Sequence, residues 1–206
     1  MKKDFYVVGI GASAGGQQAL QEFFTNIPAR SNAAFIIVTH LSRDYKTNLH
    51  NILSSHASVP VNLVRDGESI RENRIYVMPE NTELVVGDKR LHLEPRPDEL
   101  TNNAIDRFFT SLAADLRHRA IGIVFSGAGT DGARGVQRIH NAGGKVYVQD
   151  PVSSIFSSMP LAAIKADHPL AVDTPAALAR ELVSSVLKSE QQAYRVPARR
   201  TEHFRL

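Results

Sequence analysis

Residues 4–16 read DFYVVGIGASAGG, an apolar run that breaks into a glycine-rich turn just ahead of a helical pattern. From Phe5 to Val8 the run does not alternate between polar and apolar, which is how a strand covered on both faces reads. Gly11–Gly16 supplies a tight turn, and QQALQEFFTN (Gln17–Asn26) carries apolar residues at helical spacing. Strand, glycine turn and helix make the first half of a βαβ unit. The rest of the chain repeats that alternation.

AFIIVT (Ala34–Thr39) is a second buried strand ending at His40, followed by a helix from Tyr45 to Ser55 and a strand at Val61–Val64. RIYVM (Arg74–Met78), ELVV (Glu83–Val86) and RLHL (Arg90–Leu93) are short strands, and Gly87-Asp88 marks the last two as a hairpin. A helix over Asn103–Arg117 leads to the most apolar strand, AIGIVF (Ala120–Phe125). Helix Ala133–Asn141, strand KVYV (Lys145–Val148), helix Met159–Ala166 and an edge strand at Leu170–Val172 come next. A closing helix, Thr174–Leu187, has Thr174 as N-cap and Pro175 behind it. The expected fold is α/β: a doubly wound, mainly parallel, Rossmann-like sheet with helices on both faces and a small antiparallel hairpin. With no repeat and no interdomain linker, residues 1–188 read as one domain and 189–206 as a basic, flexible tail.

Composition narrows the chemistry. Hydrophobic residues are 43% and charged residues 22% of the 206, a globular profile, and there is no cysteine for disulfides or thiolate catalysis. Asp4 interrupts the N-terminal apolar run too early for a signal peptide, and no segment approaches the ~20 apolar residues of a membrane span. The expectation is a cytoplasmic protein with no membrane insertion. The net charge of +3 lies largely in the tail, and no basic stripe alternates with aromatics, so nucleic acid is not an expected partner. The histidines show no metal-ligand spacing, and neither metal nor cofactor is expected.

Three polar residues stand where strands end: Ser13 after the first, His40 after the second, and Asp131 in the loop SGAGTDGARG (Ser126–Gly135) after AIGIVF. Parallel strands bring their carboxyl ends to one edge, where such sheets bind ligands. A serine there needs a base to take its proton, a histidine suits that task near neutral pH, and an aspartate can hold the histidine's tautomer. The pattern fits a serine esterase, with backbone N–H groups of Ala14, Gly15, Gly16, Ala128 and Gly129 as candidate oxyanion donors. Each piece also has a plain structural reading. The glycines can serve strand-to-helix packing, and Asp131 can cap the following helix. A dinucleotide site lacks an acid at the end of the second strand, and no lysine completes a phosphate loop.

With these motifs in view, the chain resembles the catalytic domain of CheB-type chemoreceptor glutamate methylesterases, from about Tyr6 to Leu187. GIGASAGG (Gly9–Gly16), VTHLS (Val38–Ser42), SGAGTDGARG, AGGKVYVQDP (Ala142–Pro151) and SSMPLAAI (Ser157–Ile164) carry the resemblance in family order. The HLS and QDP segments are closest to methylesterase modules of methylesterase/methyltransferase hybrids, and the receiver domain usual in the family is expected to be absent. The resemblance implies Ser13, His40 and Asp131 as the triad. It also implies hydrolysis of glutamate γ-methyl esters on a methylated chemoreceptor-like helical bundle, glutamine deamidation as a second activity, and a separate regulatory protein as a further partner. Ala14 stands where threonine is common, Ala128 where many members carry methionine, and LTNNAID (Leu100–Asp106) replaces an arginine-proline-serine stretch. A non-catalytic scaffold of a chemosensory-type system that keeps the fold is the alternative.

Overall fold

The structure is a computed structural model that describes residues 5–39, 48–96 and 103–187. His40 and the tail 189–206 lie outside the described residues, as does the start of the helix expected from Tyr45. In chain order the strands are β1 (Tyr6–Ala12), β2 (Ala33–Thr39), β3 (Val61–Leu63), β4 (Glu68–Ser69), β5 (Arg74–Val77), β6 (Thr82–Gly87), β7 (Arg90–Pro95), β8 (Ala120–Val124), β9 (Lys145–Gln149) and β10 (Ala171–Asp173). The helices are α1 (Gly16–Thr25), α2 (Leu49–His56), α3 (Ala104–Leu116), α4 (Ala133–Asn141), α5 (Ser158–Ala166) and α6 (Pro175–Glu181).

Seven strands form one sheet in the order β10-β9-β8-β1-β2-β5-β3, with every pairing parallel. The chain works outward from β1 through β2 to the β5–β3 edge, then returns to β8 on the other side of β1 and continues to β10. The order therefore reverses between β1 and β8, and that switch point is where a doubly wound sheet opens a crevice at its carboxyl edge. α1, α2 and α6 bury Leu20, Phe23, Leu53 and Leu178 on one face, while α3, α4 and α5 bury Phe108, Phe109, Ile139 and Met159 on the other. Successive side chains of a strand alternate between these two layers.

β1 shows how that alternation selects residues. Val8, Ile10 and Ala12 point into the α1 layer, and the positions between them on the α3 side are Gly9 and Gly11. A Cβ at Gly9 would lie 2.7 Å from Phe108 Cε1, and one at Gly11 would lie 2.5 Å from Ile105 Cγ2. These two glycines let α3 sit directly on the strand, so their role is the packing one and not a nucleotide cradle.

The antiparallel part is larger than a hairpin. β6 and β7 pair as expected, but β4, a two-residue strand too short to show periodicity, adds to β7. The turn is also shifted by one. Gly87 pairs with Arg90, and the two central residues are Asp88 and Lys89 with φ of 52° and 57°, the left-handed pair that a tight hairpin demands. This small sheet packs on α3 through Leu84, Val86 and Leu91, and Arg107 of α3 forms ion pairs with Glu83 and Glu94. The closing helix is regular only to Glu181 and continues as a wider π-helical turn over Leu182–Leu187, with the Thr174 hydroxyl accepting from Ala177 N–H at 3.4 Å as the cap of α6.

Candidate active site

Ser13 is the first residue beyond β1, partly exposed, and it sits on the turn that joins the strand to α1. Its N–H donates to Ser126 O at 3.0 Å, which ties the end of β1 to the loop after β8 across the switch point. Its own carbonyl accepts Gly16 N–H at 2.9 Å and closes the turn. Gly15 lies between them at φ +74°, and a Cβ there would be 2.7 Å from both Ser126 Oγ and Ile155 Cβ. Only glycine meets both the conformation and the space. On the other side of the serine, a Cβ on Gly127 would fall 2.9 Å from Ser13 Cβ and 2.1 Å from Met159 Sδ. Ser13 is therefore hemmed in by two backbone segments lacking side chains.

Ser126 and Gln149 hold this arrangement, and both are buried. Ser126 Oγ donates to Ala14 O at 2.9 Å and accepts Phe156 N–H at 3.0 Å. Ser126 N–H donates to Gln149 Oε1 at 2.9 Å, and Gln149 Nε2 reaches Ser153 O at 3.2 Å. Three loops are thus clipped together: the serine turn, the loop after β8, and the segment after β9. Sequence reasoning assigned no role to either residue, although both fall in motifs it singled out.

The candidate oxyanion donors divide. Among the described residues the N–H groups of Ala14, Gly15, Ala128 and Gly129 donate to no acceptor, whereas Gly16 uses its N–H on Ser13 O and Gly127 uses its own on Phe156 O at 3.0 Å. Two pairs of open donors therefore flank the rim, one in each loop. Beside them the segment after β9 exposes Val152, Ile155 and Phe156, with Ile155 against Gly15.

Asp131 is buried, with 6% of its surface exposed. Its Oδ1 accepts from Asp106 N–H at 2.8 Å and Gly132 N–H at 2.9 Å, and its Oδ2 accepts from Ile105 N–H at 2.9 Å. The carboxylate caps α3, not the helix that follows it in sequence. α4 is capped by Asp106, whose Oδ1 accepts Gly135 N–H at 2.7 Å. The expected cap is thus exchanged between neighbouring helices, because α3 and α4 pack side by side with their N-termini together. Burial pushes the Asp106 carboxyl above the usual aspartate value, Gly135 N–H opposes that, and the Asp131 charge adds to it. Ala12 of β1 is the register partner of Thr39, so the two strands end level. His40, the next residue, lies outside the described residues.

Residues 8–182 match the family model described as CheB methylesterase. The chain belongs to the CheB methylesterase family. Among curated CheB-family relatives, a Myxococcus xanthus protein named protein-glutamate methylesterase/protein-glutamine glutaminase 1 is 31% identical over 163 residues, covering 77% of this chain and 47% of the relative. A Methanospirillum hungatei protein named protein-glutamate methylesterase/protein-glutamine glutaminase 2 is 33% identical over 163 residues, covering 78% and 47%. This CheB-family chain spans about half the length of the curated relatives it matches. The crystal structure of the Thermotoga maritima CheB methylesterase catalytic domain superposes with a TM-score of 0.80 at 22% identity, over 88% of this chain and 98% of that one. The doubly wound sheet is the fold they share. No helix among the described residues is long and apolar enough to cross a membrane.

Proposed function

We propose that this chain is a cytoplasmic serine esterase that hydrolyses glutamate γ-methyl esters on the helices of a chemoreceptor-like bundle. Ser13 is the nucleophile, His40 the base and Asp131 the acid that orients it. The observation that carries the reading is the placement of Ser13. It occupies a turn that only glycine at position 15 permits, at the switch point of the sheet, between two loops with open backbone donors, in a chain of this family.

The chemistry follows from that placement. As Ser13 Oγ attacks the ester carbonyl carbon, its proton passes to His40, and the carbonyl oxygen gains charge. N–H groups of Ala14 or Gly15 on one side and Ala128 or Gly129 on the other are the donors for that charge, each worth ~3 kcal/mol in such sites. The methoxy group leaves with the proton from His40 as methanol. Water then attacks the acyl-enzyme by the same route, freeing the glutamate carboxylate and Ser13. The same steps with ammonia as leaving group deamidate glutamine. The exposed Val152, Ile155 and Phe156 suit a substrate whose reacting side chain is flanked by apolar neighbours, as on a bundle helix.

The test is methanol release from methyl-esterified receptor helices, together with labelling by a fluorophosphonate probe. The parent should release methanol and carry the label on Ser13, and Ser13→Ala should do neither while keeping its melting temperature. A parent that folds normally but takes no label at Ser13 supports a scaffold instead.

A further inference from the structure

Away from the ester site, a cleft of about 820 Å³ lies beside β3, the end strand of the main sheet, and reaches to β4 and β7 of the small one. Four arginines line it, Arg65, Arg71, Arg74 and Arg90, with His50 and Glu68. Four arginines against one glutamate leave a formal +3, as large as the net charge of the whole 206-residue chain, in one concavity.

Neither neighbouring carboxylate, Glu68 or Asp66, is in an ion pair with these arginines among the described residues. Glu68 Oε1 accepts Arg65 N–H at 2.6 Å, and Asp66 Oδ1 accepts Leu93 N–H at 2.9 Å, so both serve the backbone. Among the described residues none of the four guanidinium groups is in an ion pair. Two of them are steered by neutral acceptors instead, Arg74 Nη1 by Asn62 Oδ1 at 3.3 Å and Arg90 Nη1 by Gly67 O at 2.7 Å. A guanidinium has five N–H donors, so each of the four keeps several to offer.

The geometry points to a binding site in this cleft for an anion carrying a diphosphate group. The cleft is lined by arginine and no lysine, and planar forks match phosphate oxygens two at a time. Two linked phosphates carry roughly −3, which balances the cleft. Of the two rings in the lining, Tyr76 is 1% exposed with its hydroxyl accepting Arg71 N–H, and the His50 ring is held at both nitrogens, by Asn51 Oδ1 and Val61 O at 3.2 Å each. Recognition rests on the phosphates.

The probes are inorganic pyrophosphate, ADP and poly-L-glutamate, titrated calorimetrically at low ionic strength. Pyrophosphate is expected to bind, and Arg71→Ala/Arg74→Ala to weaken it by about 100-fold, roughly tenfold per guanidinium removed. Hydrolysis of an activated ester should be unchanged in that variant, and its melting curve checks that it folds. Arg65→Gln, a single surface change, serves as the second variant, with a smaller loss expected. ADP binding as tightly as pyrophosphate makes a nucleotide an acceptable source, and pyrophosphate binding without ADP assigns the site to free diphosphate. Absence of pyrophosphate binding, binding unaltered in folded variants, or binding of poly-glutamate alone overturns the proposal.

Discussion

The stretch Gly9–Gly16 holds two regions that look alike in sequence and behave differently in space. In its strand half, Gly9 and Gly11 face inward and exist to admit Phe108 and Ile105 of α3. In its turn half, Gly15 faces the rim at positive φ and exists to bring Ser13 against Ser126 and Gly127. One half holds the layers together and the other fixes the position of Ser13, the proposed nucleophile. Changes in the two halves should therefore separate stability from activity. Asp131, outside this stretch, caps α3, the helix packed on the strand half, at the rim beside the turn half, and should report on both.

The largest effect is expected in the turn half. Ser13→Ala keeps the backbone bond to Ser126, so thermal melting should be unchanged while ester hydrolysis falls by about 10⁴-fold or more. A parallel loss of melting temperature would merge the two regions. Asp131→Ala should lower hydrolysis by about 10³- to 10⁴-fold. It should also cost about 1–3 kcal/mol in urea unfolding, because three N–H groups lose their acceptor. Retention of full stability would mean the cap is dispensable and its role purely chemical.

The strand half should show the reverse. Gly11→Val forces a side chain into Ile105 and should destabilise by about 1–3 kcal/mol, with hydrolysis per folded molecule kept within a few-fold. A loss of activity without a loss of stability there would put the strand glycines in the site. The smallest effect concerns Asp106, whose folded-state carboxyl titrates above its unfolded value, chiefly through burial. The folded state then takes up the proton first. The stability this group contributes is full below the unfolded value and is lost as pH rises through the folded one. Asp106→Asn, which can still accept Gly135 N–H, should remove that loss, so the variant's stability changes more positively with rising pH across this window than the parent's. Curves of equal slope for parent and variant would remove that account.

How far the sequence carried is clear from particular elements. The continuous apolar runs at β1, β2 and β8 were legible because strands buried on both faces need no polar positions. The serine turn was legible because strand, glycines and helix occur together within a dozen residues. β4 was not legible, since two residues have no period, and Gly87 misled because its glycine pairs in the ladder while Asp88 and Lys89 make the turn. The Ser126–Gln149 clamp escaped because its partners come from three separate loops.

The sequence by itself determined the alternating layers and which residue types stand at strand ends, because burial and turn formation act on neighbours along the chain. Only the tertiary structure decided that Asp131 caps α3 and Asp106 caps α4, that Ser126 joins the loops around Ser13, and that four arginines share one cleft. Those outcomes depend on helices and loops meeting across the fold, and a hydrogen bond or a cluster of charges between distant segments leaves no local pattern to read.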